Sequence, residues 1–476
     1  MKLNTKRTFF VGFAFLLISL FWQVYDAVVP KMLVNTFGLN QAWSGVVMAL
    51  DNVLALFLLP FFGSLSDKVK NKRGRRTPFI IWGTIAAAVL LTSIAIFDTL
   101  QLNQLAASNI EPILRSNFTS DAVFNAAWIA RQEAVWQVTM NNIFLLVAFV
   151  FVLFFVLLAM ATFRSPAVAL MPDVTPKPLR SKANAIINLM GTAGGIIALG
   201  MMAILSKDFR SYIPLFIITA VLMLVFLAIF LWKVNEPKLV GLMKKESEEA
   251  GYFEEIEEDK KADKENAKGG VSSLSPAVKK SFYLILISVF LWFMAYNAAT
   301  TKFSLYAQNV LGMGYSLPLL VAQAAAVVAF IPIGIIASKI GRRKTILSGI
   351  IILTLAFCVG ALLTIDTSFL AYFVMAFAGI GWATINVNSY PMVVEMGRGS
   401  DVGKFTGYYY TASMAAQIVT PIFSGKLMDV YSMRVLFPYS AIFAALAFIT
   451  MFFVKHGDSK PIKVKDKLDN FNTPED

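Results

Sequence analysis

Apolar residues in this chain do not recur every third or fourth position, as in an amphipathic helix, nor every second, as in a half-buried strand. They run together for twenty or more residues at a time. Such runs occupy roughly 8–36, 43–65, 77–97, 143–172, 183–206, 212–234, 281–309, 316–338, 344–365, 368–394, 403–429 and 433–454. At 1.5 Å rise per residue each is long enough to cross about 30 Å of hydrocarbon. The pattern predicts an all-α membrane protein of twelve transmembrane helices. The first run lacks a small-residue cleavage site after a short core, so it reads as a retained helix and not a signal peptide.

Polar connections set the orientation. The link after the second run, DKVKNKRGRR, carries six basic residues in ten, and those after the fourth (PKPLRSK) and eighth (GRRK) are basic too. Links on the other side, such as NTFGLNQA and TIDTS, carry none. Basic loops stay inside, which predicts both termini in the cytoplasm. The stretch 236–280, containing EEIEEDKKADKENAK, is too polar to offset the entropy of ordering. It reads as a flexible cytoplasmic linker, with room for helical turns, between an N-terminal bundle (1–235) and a C-terminal bundle (281–454), with a cytoplasmic tail at 455–476. An external insertion at about 98–142, bearing Trp128 and Trp136, reads as an amphipathic cap. Its Asn-Phe-Thr triplet at Asn117 is a weak glycosylation signal.

Composition narrows the function. The 476 residues are 57% hydrophobic and 15% charged, with a net charge of +13 from 42 basic and 29 acidic residues, and the mean hydropathy is +0.67. Because the basic residues sit in loops between apolar runs, the surplus reports topology and not a nucleic-acid partner. A single Cys358 and a single His456 exclude a disulfide framework, a cysteine metal site and histidine-dependent catalysis. No Walker-type loop is present, so ATP is not the expected energy source, and no cofactor is expected beyond a coupling ion.

The halves repeat. PFFGSLSDKV followed by Gly-Arg-Arg at Gly74 has its counterpart in PIGIIASKIGRRK from Pro332. Two similar six-helix halves joined by a cytoplasmic linker resemble the major facilitator superfamily. Within it, QAWSG from Gln41, PFFGSLSDKVKNKRGRRTPFI from Pro60 to Ile80, SPAVALMPD from Ser165, ANAIINLMGTAGG from Ala183 and GIGWA from Gly379 with Tyr390-Pro391 resemble the sucrose:proton symporters, a glycoside–cation symporter group, in their bacterial branch. The resemblance implies twelve helices in two pseudo-symmetric bundles, a monomer in a bacterial inner membrane, and a sucrose- or maltose-like disaccharide imported with a proton. It also implies a conformational latch at Asp67 with Arg73, Arg75 or Arg76; in the second half Ser338 replaces the acid. A sodium-coupled or uncoupled sugar carrier is the alternative, because the acid that plant relatives carry in the fourth helix is Leu157 here and their nearby arginine is Val168. A membrane sugar sensor would need a folded output domain that the linker and tail are too short to supply.

Charged residues inside apolar runs mark function by default, since a carboxylate at mid-bilayer costs at least about 2.5–3.5 kcal/mol. Asp26, with Gln23 on its face of the first run, and Asp51 in the second are the proton-coupling candidates. Two close carboxylates suit a proton carrier; the alternative for Asp26 is a structural pairing with Lys31. Arg164 is expected to snorkel to the cytoplasmic surface, with a displaced partner for the substrate or for an acid as the alternative. A sugar ring needs carboxamides for its edge and aromatic rings for its apolar face. The candidates are Gln23, Asn52, Asn188, Tyr296, Asn297, Gln323, Asn386 and Gln417, with Trp292 beside Tyr296 and Trp382 beside Asn386 at helical spacing as the preferred platform. For any one amide, helix–helix hydrogen bonding is the competing role.

Overall fold

The computed structural model describes residues 3–176, 179–205, 211–249, 274–394, 396 and 402–457. Helix α1 spans Thr5–Thr36 and ends in a π-helical turn, Met32–Thr36, just past Pro30. It is followed by α2 (Gln41–Lys68), α3 (Thr77–Ala107), α4 (Asp121–Asn141), α5 (Ile143–Val174), α6 (Arg180–Leu205), α7 (Ile213–Lys233) and α8 (Glu236–Glu249). The second half holds α9 (Pro276–Asn309), α10 (Ser316–Ile340), α11 (Arg342–Ala361), α12 (Ala371–Val394), α13 (Val402–Val430) and α14 (Leu436–Phe452). Ten of these are long and apolar enough to cross a membrane. With α10 and α13 they match the twelve expected runs. The helix α3 runs ten residues past its expected end into the insertion, whose second part is α4.

Packing repeats between the halves. In the first, α1 lies on α6 and α7, α5 on α2 and α3, and α3 on α7. In the second, α9 lies on α13 and α14, α12 on α10 and α11, and α11 on α14. Helix for helix these are the same five pairings, which makes the halves two pseudo-symmetric six-helix bundles. They meet along α2–α13, α6–α10 and α1–α9.

The meeting is tight at one face. At the face carrying the insertion, a Cβ on Gly45 of α2 would lie 2.1 Å from the Pro421 carbonyl oxygen of α13, and one on Gly425 would lie 2.3 Å from that of Gln41. Only glycine permits backbones so close. Described hydrogen bonds between the halves lie at that face as well, from Gln41 and Ala42 to Asp429 and from Arg434 to Asp121. The bundles are therefore closed on the insertion face.

The linker begins as helix. Its first fourteen residues form α8, anchored to the first bundle: Arg7 forms a paired contact with Glu246 at 3.0–3.1 Å, and Glu236 is 2% exposed. Charge that looked like solvated disorder is here neutralised by specific partners. Residues 250–273 and the tail beyond 457 lie outside the described residues; His456 Nδ1 lies 3.0 Å from Ser281 Oγ.

Candidate functional site

The charged residues of α1, α2 and α5 converge inside the first bundle. Asp26, Asp51 and Arg164 interact electrostatically with one another. Two antiparallel helices bring acids from adjacent runs to a common depth, and α5 packs against both. Arg164 does not reach the surface as expected. Its guanidinium lies over Trp22, 5.5 Å from the ring centre, and it also interacts with Tyr410 of the opposite bundle. Two half-buried acids attract a guanidinium more strongly than the interface does at that depth. Lys31 makes no pair with Asp26; its ammonium sits over Tyr315 at 4.4 Å.

Local chain chemistry shapes this cluster. Pro30 has no N–H to offer the Asp26 carbonyl one turn earlier, so the helix leaves polar backbone beside the Asp26 carboxyl. Asn52 donates its backbone N–H at 2.6 Å and its side-chain amide at 2.7 Å to Asp51 Oδ1. Its amide therefore serves Asp51 and is not free for a sugar in this state. Trp22 Nε1 and the Tyr25 hydroxyl are buried without hydrogen-bond partners, an unusual condition outside a ligand site. Gln23 and Asp26 are half-buried on the same stretch.

Across the interface, Tyr296 of α9 and Trp382 of α12 stack with ring centres 4.1 Å apart and planes within 6°, and Phe293 meets Trp382 edge-on at 4.9 Å. One Trp382 face is thus covered by Tyr296. Asn386, one turn along α12, is exposed. Trp292 is 0% exposed and belongs to the core, so in this state it offers no face to a ligand, although its Nε1 and Asn297 Nδ2 have no partner. Gln323 packs where α6 and α10 meet, its amide 2.5 Å from where a Cβ on Gly195 would stand, with Oε1 buried and unpaired. Asn188, two turns before Gly195 on α6, is exposed, while the Gln417 amide is turned back onto the Ser413 carbonyl at 3.3 Å. The structure thus groups Asp26, Asp51 and Asn52 in one bundle and Tyr296 and Trp382 in the other, and places Gln323 and Gln417 in helix contacts.

At the basic face Asp67 receives Arg76 at 2.5 Å and Arg75 at 3.7 Å. Both arginines also hold Asp173 of α5, at 2.6 and 2.9 Å. Arg73 is exposed and has no ion pair among the described residues. Glu236 completes the arrangement: its carboxylate accepts from the backbone N–H groups of Arg75, Arg76 and Thr77 and from the Thr77 hydroxyl, at 2.7–3.1 Å, capping α3. Gly74 makes room for it. At φ +106°, a Cβ there would stand 2.3 Å from the carboxylate. The Asp67 pairs lie within one bundle and do not join the halves. Asp173 and Glu236 were absent from the sequence-level latch. The first lay in a quoted motif; the second, in a run of linker acids, had no signal.

The opposite face carries the joints between bundles. Asp429, at the end of α13, accepts from the N–H groups of Gln41 and Ala42 at 2.8 Å each, and Lys302 Nζ donates to the Gln41 carbonyl at 3.1 Å. Asp121 of α4 pairs with both Arg115 and Arg434.

Comparisons with known proteins agree with this architecture. The family model of the Major Facilitator Superfamily matches residues 11–396 and 315–473. The sucrose transport protein SUC3 of Arabidopsis thaliana is 27% identical over 183 residues, 38% of this chain and 26% of that protein. SUC4 of the same plant is 36% identical over 56 residues, 12% of this chain and 11% of that protein. The chain therefore aligns with about a quarter or less of these relatives' length. Among solved structures, the nucleoside transporter NupG superposes with TM-score 0.60 at 14% identity, covering 95% of this chain and 100% of that one. An inward-open xylose transporter XylE from E. coli gives 0.59 at 13%, covering 98% and 97%. Such likeness carries the fold alone. Fold, repeat and family match together make this chain a multi-pass membrane transporter and not an enzyme: it belongs to the major facilitator superfamily.

Proposed function

We propose that the protein imports a small glycoside, sucrose- or maltose-like, together with a proton, by alternating access. The observation that carries the reading is the cluster of two carboxylates and one guanidinium inside the first bundle, which reaches Tyr410 of the second through Arg164. With both acids ionised the cluster bears a net charge of −1; one proton makes it neutral. Moving a charged cluster through a low-dielectric interior costs several kcal/mol more than moving a neutral one. Protonation of one acid, with Arg164 held by the other, thus couples the proton to the change of state. A sugar bound between Tyr296–Trp382 and the open carboxamides would draw the bundles together over it. The partial likeness to the sucrose transport proteins supports the sugar class.

In this reading the face with the basic loops is cytoplasmic, in keeping with the retention of basic loops inside, so both termini are inside and the present state is closed toward the outside of a bacterial inner membrane. The protein acts as a monomer, with the lipid bilayer, the sugar and the cation as its partners. Uptake of radiolabelled sucrose and maltose into proteoliposomes tests the reading. Accumulation driven by an imposed pH gradient supports it. Accumulation that follows a sodium gradient instead would replace the coupling ion, and uptake of neither sugar would remove the substrate class.

A further inference from the structure

The insertion face carries a second cavity, distinct from the central site. It has a volume of about 910 Å³, the size of a site for a small molecule. Helix α4 roofs it with Phe124, Trp128 and Trp136. Trp43 of α2 and Tyr431 beyond α13 supply further rings. Polar groups stand among them: Asn125 and Glu133 on the roof, Asn40 and Asn309 at the walls. Gln132 ties the roof to the chain beneath it. Its amide N–H group is used, donating to the carbonyls of Val34 at 3.1 Å and Leu39 at 2.9 Å. Its Oε1 is enclosed by protein and does not open on the cavity. Rings interleaved with carboxamides and a carboxylate match a neutral polyhydroxylated ring: apolar C–H faces lie on the indoles, and hydroxyls meet the amides. An anion would meet Glu133 and Asp429, and a purely apolar guest would cover the polar groups of Asn125 and Glu133 without partners.

We propose that this cavity is an outer carbohydrate site that binds the transported class of glycoside and holds the transporter closed on that side. The substrate class rests on the sugar reading above. The effect on conformation comes from the walls. Asn40, Gln41 and Trp43 belong to the first bundle, and Asn309, Met428 and Asp429 to the second. The cavity exists only while the Asp429 joint to Gln41 and Ala42 is made, because parting the bundles there separates its two sides. A ligand that binds only one of two states shifts the population toward it. Sugar arriving from the outer side thus binds at the closed gate and delays its opening, so that import slows when external sugar is plentiful.

The test is initial uptake by the full-length protein in oriented proteoliposomes over a wide range of external sucrose or maltose. The wild type should show a rate that rises, then falls at high sugar. Trp128→Ala should weaken the outer site about tenfold, moving the fall to about tenfold higher sugar, with the initial slope of rate against sugar unchanged. Asn125→Ala, at an exposed position where folding is not at stake, should move it in the same direction. Simple saturation in the wild type, or a fall that neither variant moves, would overturn the proposal while sugar transport itself stands. Absence of any sucrose or maltose uptake would instead defeat the sugar reading and this one with it.

Discussion

The joint at Asp429 offers a way to tilt the equilibrium between states. Its carboxylate sits at the C-terminal end of its own helix, where negative charge is unfavourable, and at the N-terminal end of α2, where it is favourable. The joint therefore contributes to stability only while the insertion face is closed. Replacing Asp429 with Asn keeps one acceptor oxygen and removes the charge. Charge-assisted bonds exceed neutral ones by about 1 kcal/mol, and the helix end contributes roughly 0.5 kcal/mol more. Asp429 is exposed, so screening removes about half of that sum, leaving about 0.8 kcal/mol. The ratio of open to closed at this face should then rise about fourfold. Spin labels at Ser108 and Thr364, loop positions on the two bundles at that face, would report the change as a longer-distance population in pulsed electron resonance. The background for labelling is Cys358→Ala, since Cys358 is exposed. Salt should reduce the difference between the variant and the wild type. An unchanged distance distribution in Asp429→Asn, with labels that do move on sugar addition, would refute the assignment of the joint as a state-dependent contact.

Four further outcomes follow from the same geometry. Asp26→Asn should abolish uphill sugar accumulation while leaving sugar exchange partly intact; unchanged accumulation under a pH gradient would remove Asp26 from coupling. Trp382→Ala, which strips the ring stacked on Tyr296, should weaken sugar binding about tenfold or more with a smaller effect on the unfolding temperature, read by binding titration beside thermal melting. Glu236→Gln removes a buried charge that caps α3 through three backbone N–H groups, and should cost about 1–2 kcal/mol, visible as a melting point lower by several degrees. At Asp121 partial burial favours the neutral acid, but the hydrogen bonds from Arg115 and Arg434 outweigh it and hold the carboxyl below the ordinary aspartate value of 3.8. A depressed carboxylate stabilises its pairing above the free-group value and loses that stabilisation as pH falls through the paired value. The Asp121–Arg434 contact should therefore persist from neutral pH down to about 4 and fail only below it, so a label-distance change near pH 6 would point to another group.

The twelve helices were legible because a membrane imposes one rule on every span: backbone groups must be satisfied internally and side chains must be apolar over about twenty residues. That rule is local, and so are its signals. The pairing of Asp67 with Arg75 and Arg76 was legible for the same reason, since nine residues and one turn separate the partners. What the sequence did not disclose are the contacts whose partners come from distant segments. Asp429 meets Gln41 across 388 residues, and Arg434 meets Asp121 across 313. Neither acid differs in its local context from any other loop carboxylate.

Arg164 shows the same limit from the other side. Its distance from the basic end of its helix fits a snorkelling side chain, and only the arrival of Asp26 and Asp51 from two other helices turns it inward. Trp292 and Tyr296 share one helical spacing, yet one is enclosed and the other stacks on Trp382, because the width of the buried stripe is set by which neighbours pack there. In a protein that works by exchanging partners between two bundles, the residues that decide the state are those whose partners are farthest away in sequence. The helices can therefore be read from one chain segment at a time, whereas the gate can be read only from the assembled pair.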